Sequence, residues 1–436
     1  MKKKALALLL TLGLAVTGML TACGGGSGSG GDSGKEKAAD GQVTIRFSWW
    51  GGDNRHEATL AAVRAFEAKY PNIKVEAEPS GWDGTVERIT TQLAAGSEPD
   101  LMQVNFDWLT SFSKDGSRFA DLTKFSDVLD LSGYDADFLK FGQMNGIQNA
   151  VPHGKNAYAL ALNKTAWDKV GAEIPADDWT WDDVLTAAKK FEEGTYCFDT
   201  NVGYEWFFIT TYMTQLTNKP MVNKEGAMNW SAEEIEEGLL WYQNLVDNHV
   251  LPSRATMLEA GGDELFTGVH GGILDWSGGL ADRAMNLAEN GQELVIAPYP
   301  TIPGATTSGV MEKPTMLFAI SPNSKHQTEA AMLLNFLLND PEGIRLMGIT
   351  RGTPAVAGAA EILAENGQLE GIALSAFEYT THANGMAQGP LHEINTVRST
   401  YDGIMEQYAL GQLDASAAAQ ELYKQVGAAA VAALNR

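Results

Sequence analysis

From residue 43 onward the apolar positions keep changing period. Val43-Thr44-Ile45-Arg46-Phe47-Ser48-Trp49 alternates apolar and polar residues, the period of a strand, and Gly51-Gly52 ends it. Between 57 and 70, Leu60, Val63 and Phe66 recur at helical spacing, and Pro71 closes that helix. Residues 73–77 alternate again, and Pro79-Ser80-Gly81 turns the chain. Val86, Ile89 and Leu93 mark a second helix, after which Pro99-Asp100 leads into the apolar run 101–104. Strand, helix, strand, helix, strand predicts a parallel sheet covered by helices.

The middle of the chain is more helical. Thr180-Trp181-Asp182-Asp183 has the form of a capping box opening a helix through Phe191. Residues 231–246 form a second helical segment, with Glu233-Glu234 in its first turn where the helix dipole favours acids. Gly271 to Trp276 has the form of a strand ending in a loop, and Leu317-Phe318-Ala319-Ile320 that of a short buried strand. An apolar helix covers 328–338, and Asp340-Pro341 supplies an N-cap and first-turn proline for the next. Two C-terminal helices are expected, over 392–409 and 415–434.

Composition narrows the classes. Hydrophobic residues make up 44% of the chain, enough for sizeable cores, and about 400 residues of folded structure imply two domains or lobes. A net charge of −24 argues against a nucleic-acid partner and against a polybasic membrane surface. The chain has two cysteines, Cys23 and Cys197, and Cys197 is expected to be a small buried residue. No segment after the N-terminal one reaches membrane-spanning length without charges. Enzyme signatures are lacking: there is no G-x-S-x-G, and His392-Glu393 lacks the second histidine of H-E-x-x-H. The seven histidines are scattered, so neither metal nor cofactor is expected. Gly26, Gly28 and Gly31 match G-x-G-x-x-G only inside a Gly/Ser run with no strand before it. With 55 Asp and Glu residues, a lipid-anchored glycan-degrading enzyme with two carboxylates at a bond stays as the alternative reading.

At the N-terminus, Met1-Lys2-Lys3-Lys4 is a basic segment followed by a short apolar stretch of signal-peptide character. Leu20-Thr21-Ala22-Cys23 resembles the lipobox of bacterial lipoproteins, which implies cleavage after residue 22 and a lipid on Cys23. The Gly/Ser-rich stretch that follows, 24–34, is a flexible tether. The expected location is outside the cytoplasm, held to the cell membrane by lipid.

The order of these segments resembles the extracellular solute-binding proteins of carbohydrate ABC importers. The resemblance rests on Trp49-Trp50-Gly51, Tyr70-Pro71-Asn72-Ile73-Lys74-Val75, Pro99-Asp100-Leu101-Met102 and Tyr158 to Lys164. It continues through Ala319 to Lys325, Phe336 to Gly343 and Arg351-Gly352-Thr353-Pro354. It implies a two-lobe periplasmic-binding-protein-like α/β fold, each lobe a sheet flanked by helices, with the ligand cleft between them. The expected organisation is a signal peptide at 1–22, a lipidated linker at 23–40, lobe 1 at 41–152 plus 312–365, and lobe 2 at 153–311 plus 366–436. Hinges are expected near 151–158 and 306–315. The implied partners are an oligosaccharide and the permease subunits of an ABC transporter, served by a monomeric receptor.

A site that reads saccharides needs flat aromatic surfaces for the C–H faces of the rings and polar groups for their hydroxyl edges. Of the eleven tryptophans, Trp49, Trp50, Trp82, Trp108 and Trp276 fall at strand ends or in Gly-rich turns, where open α/β sheets bind ligands. Asp53, Asn105 and Asp107 lie just beyond strands. By resemblance to the maltose-binding branch, acidic residues matching Asp53, Asp107 and Asn156 would hold hydroxyls, although position 156 is an amide here, and Trp206 would be an aromatic of lobe 2. The run from Trp49 to Thr59 together with Ser80-Gly81-Trp82-Asp83-Gly84 resembles a subgroup that takes up pectin-derived oligogalacturonides. This suggests Arg55, and more weakly Arg351, as cations for a uronate carboxylate.

Cys23→Ala is expected to abolish lipid labelling and processing while the folded body remains intact. Metabolic labelling with a fatty acid and membrane fractionation check this, and a labelled, membrane-bound variant would refute the lipobox assignment.

Overall fold

The computed structural model describes residues 41–200, 203–260 and 270–435, so Cys23 and the tether lie outside the described residues. Twelve strands occur among them: β1 (Val43–Trp50), β2 (Ile73–Ser80), β3 (Leu101–Val104), β4 (Gln143–Met144), β5 (Ile147–Gln148), β6 (Ala150–Pro152), β7 (Lys155–Asn163), β8 (Gly272–Trp276), β9 (Leu294–Ala297), β10 (Met311–Pro314), β11 (Leu317–Ile320) and β12 (Met386–Ala387). The first sheet has the order β2-β1-β3-β11-β6, with β1 parallel to β2 and β3 and with β11 antiparallel to β3 and β6. The second has the order β12-β10-β7-β8, with β9 also on β7. Two α/β lobes result, within one compact unit from Gly41.

Period-two alternation sorts the side chains of each sheet. Ile45, Phe47 and Trp49 enter one core of the first lobe, while Trp50 joins Met102 and Val104 on the opposite face. In β7, Tyr158, Leu160 and Leu162 face the main core of the second lobe and Ala159 and Ala161 the other side. Cys197 is fully buried in that main core, and burial pushes its thiol pKa up.

The capping boxes form as the side-chain chemistry dictates, Thr180 with Asp183 and Ser231 with Glu234, and Asp340 caps the helix that opens with Pro341. Two boundaries differ from the sequence reading. The first helix starts at Asp53, because its first turn, Asp53-Asn54-Arg55-His56, is polar and gives no apolar period. The expected C-terminal helix over 415–434 is broken by a π-helical turn at Leu422–Val426. No helix of the described residues is long and apolar enough to cross a membrane.

The chain passes from β6 in the first sheet to β7 in the second through His153-Gly154, and back from β10 to β11 through Thr315-Met316. Because β10 pairs with β7, residues 312–314 belong to the second sheet, and the return to the first lobe falls a few residues later than expected. The two crossings are tied to each other: Thr315 N donates to Gly154 O at 2.8 Å and His153 N to Met316 O at 2.8 Å. A third segment closes on them, Ala355 N donating to His153 O at 2.9 Å. Gly154 is required there, since a Cβ would lie 2.3 Å from the Thr353 carbonyl oxygen. Gly154→Ala is therefore expected to lower stability by about 1–3 kcal/mol, the usual effect of overpacking. Urea unfolding followed by circular dichroism measures it, and an unchanged midpoint would show that the crossing yields freely.

Candidate functional site

The first lobe presents three tryptophans at the C-terminal ends of its parallel strands. Trp50 ends β1, Trp82 sits in the turn after β2, and Trp108 is in the short helix Phe106–Phe112 after β3. Trp82 stacks on Trp108 with centroids 6.2 Å apart and an interplanar angle of 22°, while Trp50 meets Trp82 at 5.3 Å and Trp108 at 5.1 Å. Trp108 is buried and Trp82 is 48% exposed, so a rigid aromatic base carries an open ring. The turn that aims Trp82 is held by Thr85 Oγ1 donating to Gly81 O at 2.6 Å and by Arg88 Nη2 donating to Ser80 Oγ at 3.0 Å.

The second lobe answers with Trp276 at the end of β8 and Trp206 in the first turn of the helix Glu205–Thr217. Trp276 packs on Tyr158 at 4.1 Å, and Lys313 Nζ lies 4.3 Å from the centre of its ring. Lys313 is also paired with Glu393 at 2.8 Å. Trp206 meets Tyr401 edge-on at 4.3 Å and His392 at 5.3 Å. Its turn is anchored from beneath: buried Glu205 accepts from Arg254 Nη1 at 2.7 Å and from Gly203 N at 2.7 Å. Between Trp206 and Trp276 opens a recess, with Gln388, His392 and Arg398 in its walls.

The lobes meet beside this recess, where the helix Phe106–Phe112 packs on the turn Pro390–Glu393. Asp107 accepts from Asn105 Nδ2 at 2.6 Å and faces Glu393 and Lys313 across that boundary. Burial, with Glu393 adding to it, raises the Asp107 carboxyl to about 6 against the opposing effects of Asn105 and Lys313. Burial likewise lowers His392 to about 4, so its imidazole is neutral at neutral pH. Among the described residues, no group of three or more His, Cys, Asp or Glu could hold a metal ion.

Of the residues singled out from sequence, the structure gathers Trp50, Trp82, Asn105, Asp107 and Trp108 on one side and Asn156, Trp206 and Trp276 on the other. Asn156 Oδ1 accepts from Ser277 Oγ at 2.8 Å and Gly278 N at 3.0 Å, which fixes the turn after Trp276. Asp53 is exposed in the first turn of its helix. Three expectations need correction. Trp49 is 1% exposed, in phase with Ile45 and Phe47, and its Nε1 donates to His56 Nδ1 at 3.1 Å inside the first lobe. Arg351 is equally buried, with Nε donating to Gln103 Oε1 at 2.7 Å and Nη2 to Thr59 Oγ1 at 2.9 Å, so it ties the core rather than meeting solvent. Arg55 turns donors inward, Nε to Thr350 O at 2.9 Å and Nη1 to Trp50 O at 3.1 Å, and so pins the end of β1. Sequence reasoning missed Lys313, Gln388, Glu393 and Arg398. His392-Glu393 was noticed only as an incomplete metal motif.

Two α/β lobes joined by paired crossings, with a cluster of aromatic side chains in each, are the architecture of a solute-binding receptor. The chain belongs to the bacterial extracellular solute-binding proteins, a family it matches over residues 52–344, and its working place is extracytoplasmic. Among solved structures it is similar to a periplasmic oligogalacturonide-binding protein from Yersinia enterocolitica in complex with saturated digalacturonic acid. The two are 33% identical, the match covers 90% of this chain and 100% of that one, and the TM-score is 0.79. A diacetylchitobiose-binding protein of Streptomyces coelicolor is 25% identical over 367 residues, 78% of this chain and 79% of that protein. A relative from Brucella abortus named as a binding protein is 26% identical over 296 residues, and the match spans 63% of this chain and 66% of the relative's length.

Asp107 yields a signed prediction. Raised from 3.8 to about 6, it holds its proton more tightly in the folded than in the unfolded chain, so its contribution to stability falls as pH rises between those values. Asp107→Asn removes that titration. The stability of the variant relative to wild type is expected to increase from about pH 4 to about pH 6 and to level off above. Urea unfolding at stepped pH reads this, and a pH-independent difference would place Asp107 in open solvent.

Proposed function

We propose that this protein is the lipid-anchored receptor of a carbohydrate ABC importer and that its cleft captures a short oligogalacturonide. The observation that carries the saccharide reading is the exposed Trp82 ring, stacked on buried Trp108 in one lobe, with Trp206 and Trp276 in the other. Stacked aromatics contribute about 0.5–1.5 kcal/mol beyond buried area, and a few such contacts plus hydrogen bonds reach the roughly −8 kcal/mol of a micromolar receptor. The crossings act as the hinge: ligand lowers the free energy of the closed form, which the permease subunits recognise. The protein works as a monomer, bound to the membrane through Cys23, and turns nothing over.

The uronide assignment rests on the likeness to the Yersinia protein and on a cation at the mouth of the recess. Arg398 is exposed there and has no ion pair within 4 Å among the described residues. The charge balance supports a second reading, a neutral oligosaccharide. Lys313 is already paired with Glu393, and Asp107 and Asp402 add two more carboxylates. With a Debye length of about 8 Å at physiological salt, contact chemistry decides between them.

Titration calorimetry with trigalacturonate and with neutral trisaccharides separates the readings. Wild type is expected to prefer trigalacturonate, Trp82→Ala to weaken it about three- to tenfold, and Arg398→Gln about tenfold or more. Preference for a neutral trisaccharide would replace the uronide reading and leave the receptor intact. Release of shorter sugars would establish an enzyme instead.

A further inference from the structure

The recess between Trp206 and Trp276 gathers several buried polar atoms that lack a hydrogen-bond partner among the described residues. Tyr158 Oη, Tyr401 Oη, Gln388 Oε1 and both ring nitrogens of His392 are buried without a hydrogen-bond partner among the described residues. All four side chains line this one recess, and each residue is at least nine-tenths buried. Leaving such groups unpaired is costly, and phenylalanine or leucine would fill the same space without that cost. Five unpaired atoms around one recess therefore mark groups kept for a partner from outside.

Their chemistry specifies that partner. Two phenols and a neutral imidazole offer both donors and acceptors, and Gln388 Oε1 is an acceptor. That set matches neighbouring hydroxyls, which donate and accept, and it holds no cation for a carboxylate. The cation, Arg398, is exposed at the mouth. Phe207, Val397 and Val426, members of the second lobe's main core, also line the recess, so on that side it abuts packed core.

We propose that the recess is a dead-end subsite that takes the hydroxyl edge of a terminal sugar ring, so that this receptor recognises saccharide chain ends rather than internal stretches. The inference rests on the saccharide reading above. It assigns Tyr158, Tyr401, Gln388 and His392 to the terminal ring and leaves any carboxylate of that ring outside, at Arg398. The remaining rings run outward past Trp276 towards Trp82.

Two measurements on the full-length protein test this. Calorimetry is run with trigalacturonate, with trigalacturonate reduced at its reducing end, and with the 4,5-unsaturated form altered at the other end. One end modification is expected to weaken binding at least tenfold while the other is tolerated. Tyr158→Phe and Tyr401→Phe are each expected to weaken trigalacturonate about five- to tenfold, the effect of one lost hydrogen bond. Without ligand, both variants should unfold at the wild-type temperature or higher, an outcome that a structural role for the hydroxyls would reverse. Wild-type affinity for both modified ends, or in both variants, overturns the inference while leaving the receptor standing. A wild-type protein that binds no saccharide overturns both.

Discussion

The paired crossing of the chain between its two sheets is the constraint from which the rest follows. His153-Gly154 and Thr315-Met316 run side by side, joined by two backbone hydrogen bonds and closed by Ala355. Because both crossings are short and mutually bonded, they hold the two sheets close together at this point. The strand ends on either side are thereby held facing one another. The tightness of the packing comes from the missing side chain at Gly154, where the Thr353 carbonyl occupies the space a Cβ would need.

On that frame the two walls of the cleft do different physical jobs. The first lobe contributes an aromatic platform whose buried members hold one exposed ring, so under the proposed function stacking on it would cost little conformational entropy. The second contributes a polar recess and the ion pair of Lys313 with Glu393. Where the walls meet, Asp107 is left desolvated with another carboxylate nearby, an arrangement that weakens the empty protein and is relieved by whatever donates a hydrogen bond to it. Buried Glu205 and Arg254 hold the turn that carries Trp206 from below, so this aromatic too is fixed before ligand arrives. Under the proposed function, groups left unsatisfied in the free protein would trade stability for affinity.

Much of the fold was legible because it is written in short-range periods. The alternation from Val43 to Trp49, the capping boxes at Thr180 and Ser231 and the Asp340-Pro341 helix start all act within one or two turns of chain. That same alternation already distinguishes Trp49, in phase with Phe47, from Trp50, out of phase with it, and so could have kept Trp49 out of the site. That Trp82, Trp108 and Trp276 lie just beyond or at the ends of strands was legible from the turn signals beside them. Arg351 was not, since its partners Thr59 and Gln103 lie about 250 or more residues away in sequence and no local pattern announces them. Lys313, His392 and Glu393 were hidden for the same reason. They become one cluster only when β10 pairs with β7 and the turn Pro390–Glu393 comes up to Lys313.

The helix Gly371–His382 bears on the proposed closure, because it packs against both lobes. Its Ala373, Leu374 and Phe377 pack against the core of the first lobe, while Ile372 and Tyr379 pack against cores of the second. A rotation that brings Trp82 towards Trp276 changes the angle between those cores, so this helix must shear against at least one of them. Its contacts with the first lobe are made by partly buried residues, as suits a face that slides. In the proposed capture mechanism, closure would be opposed by this apolar surface, and the free energy of stacking and hydrogen bonding would have to exceed that loss before the closed form is populated.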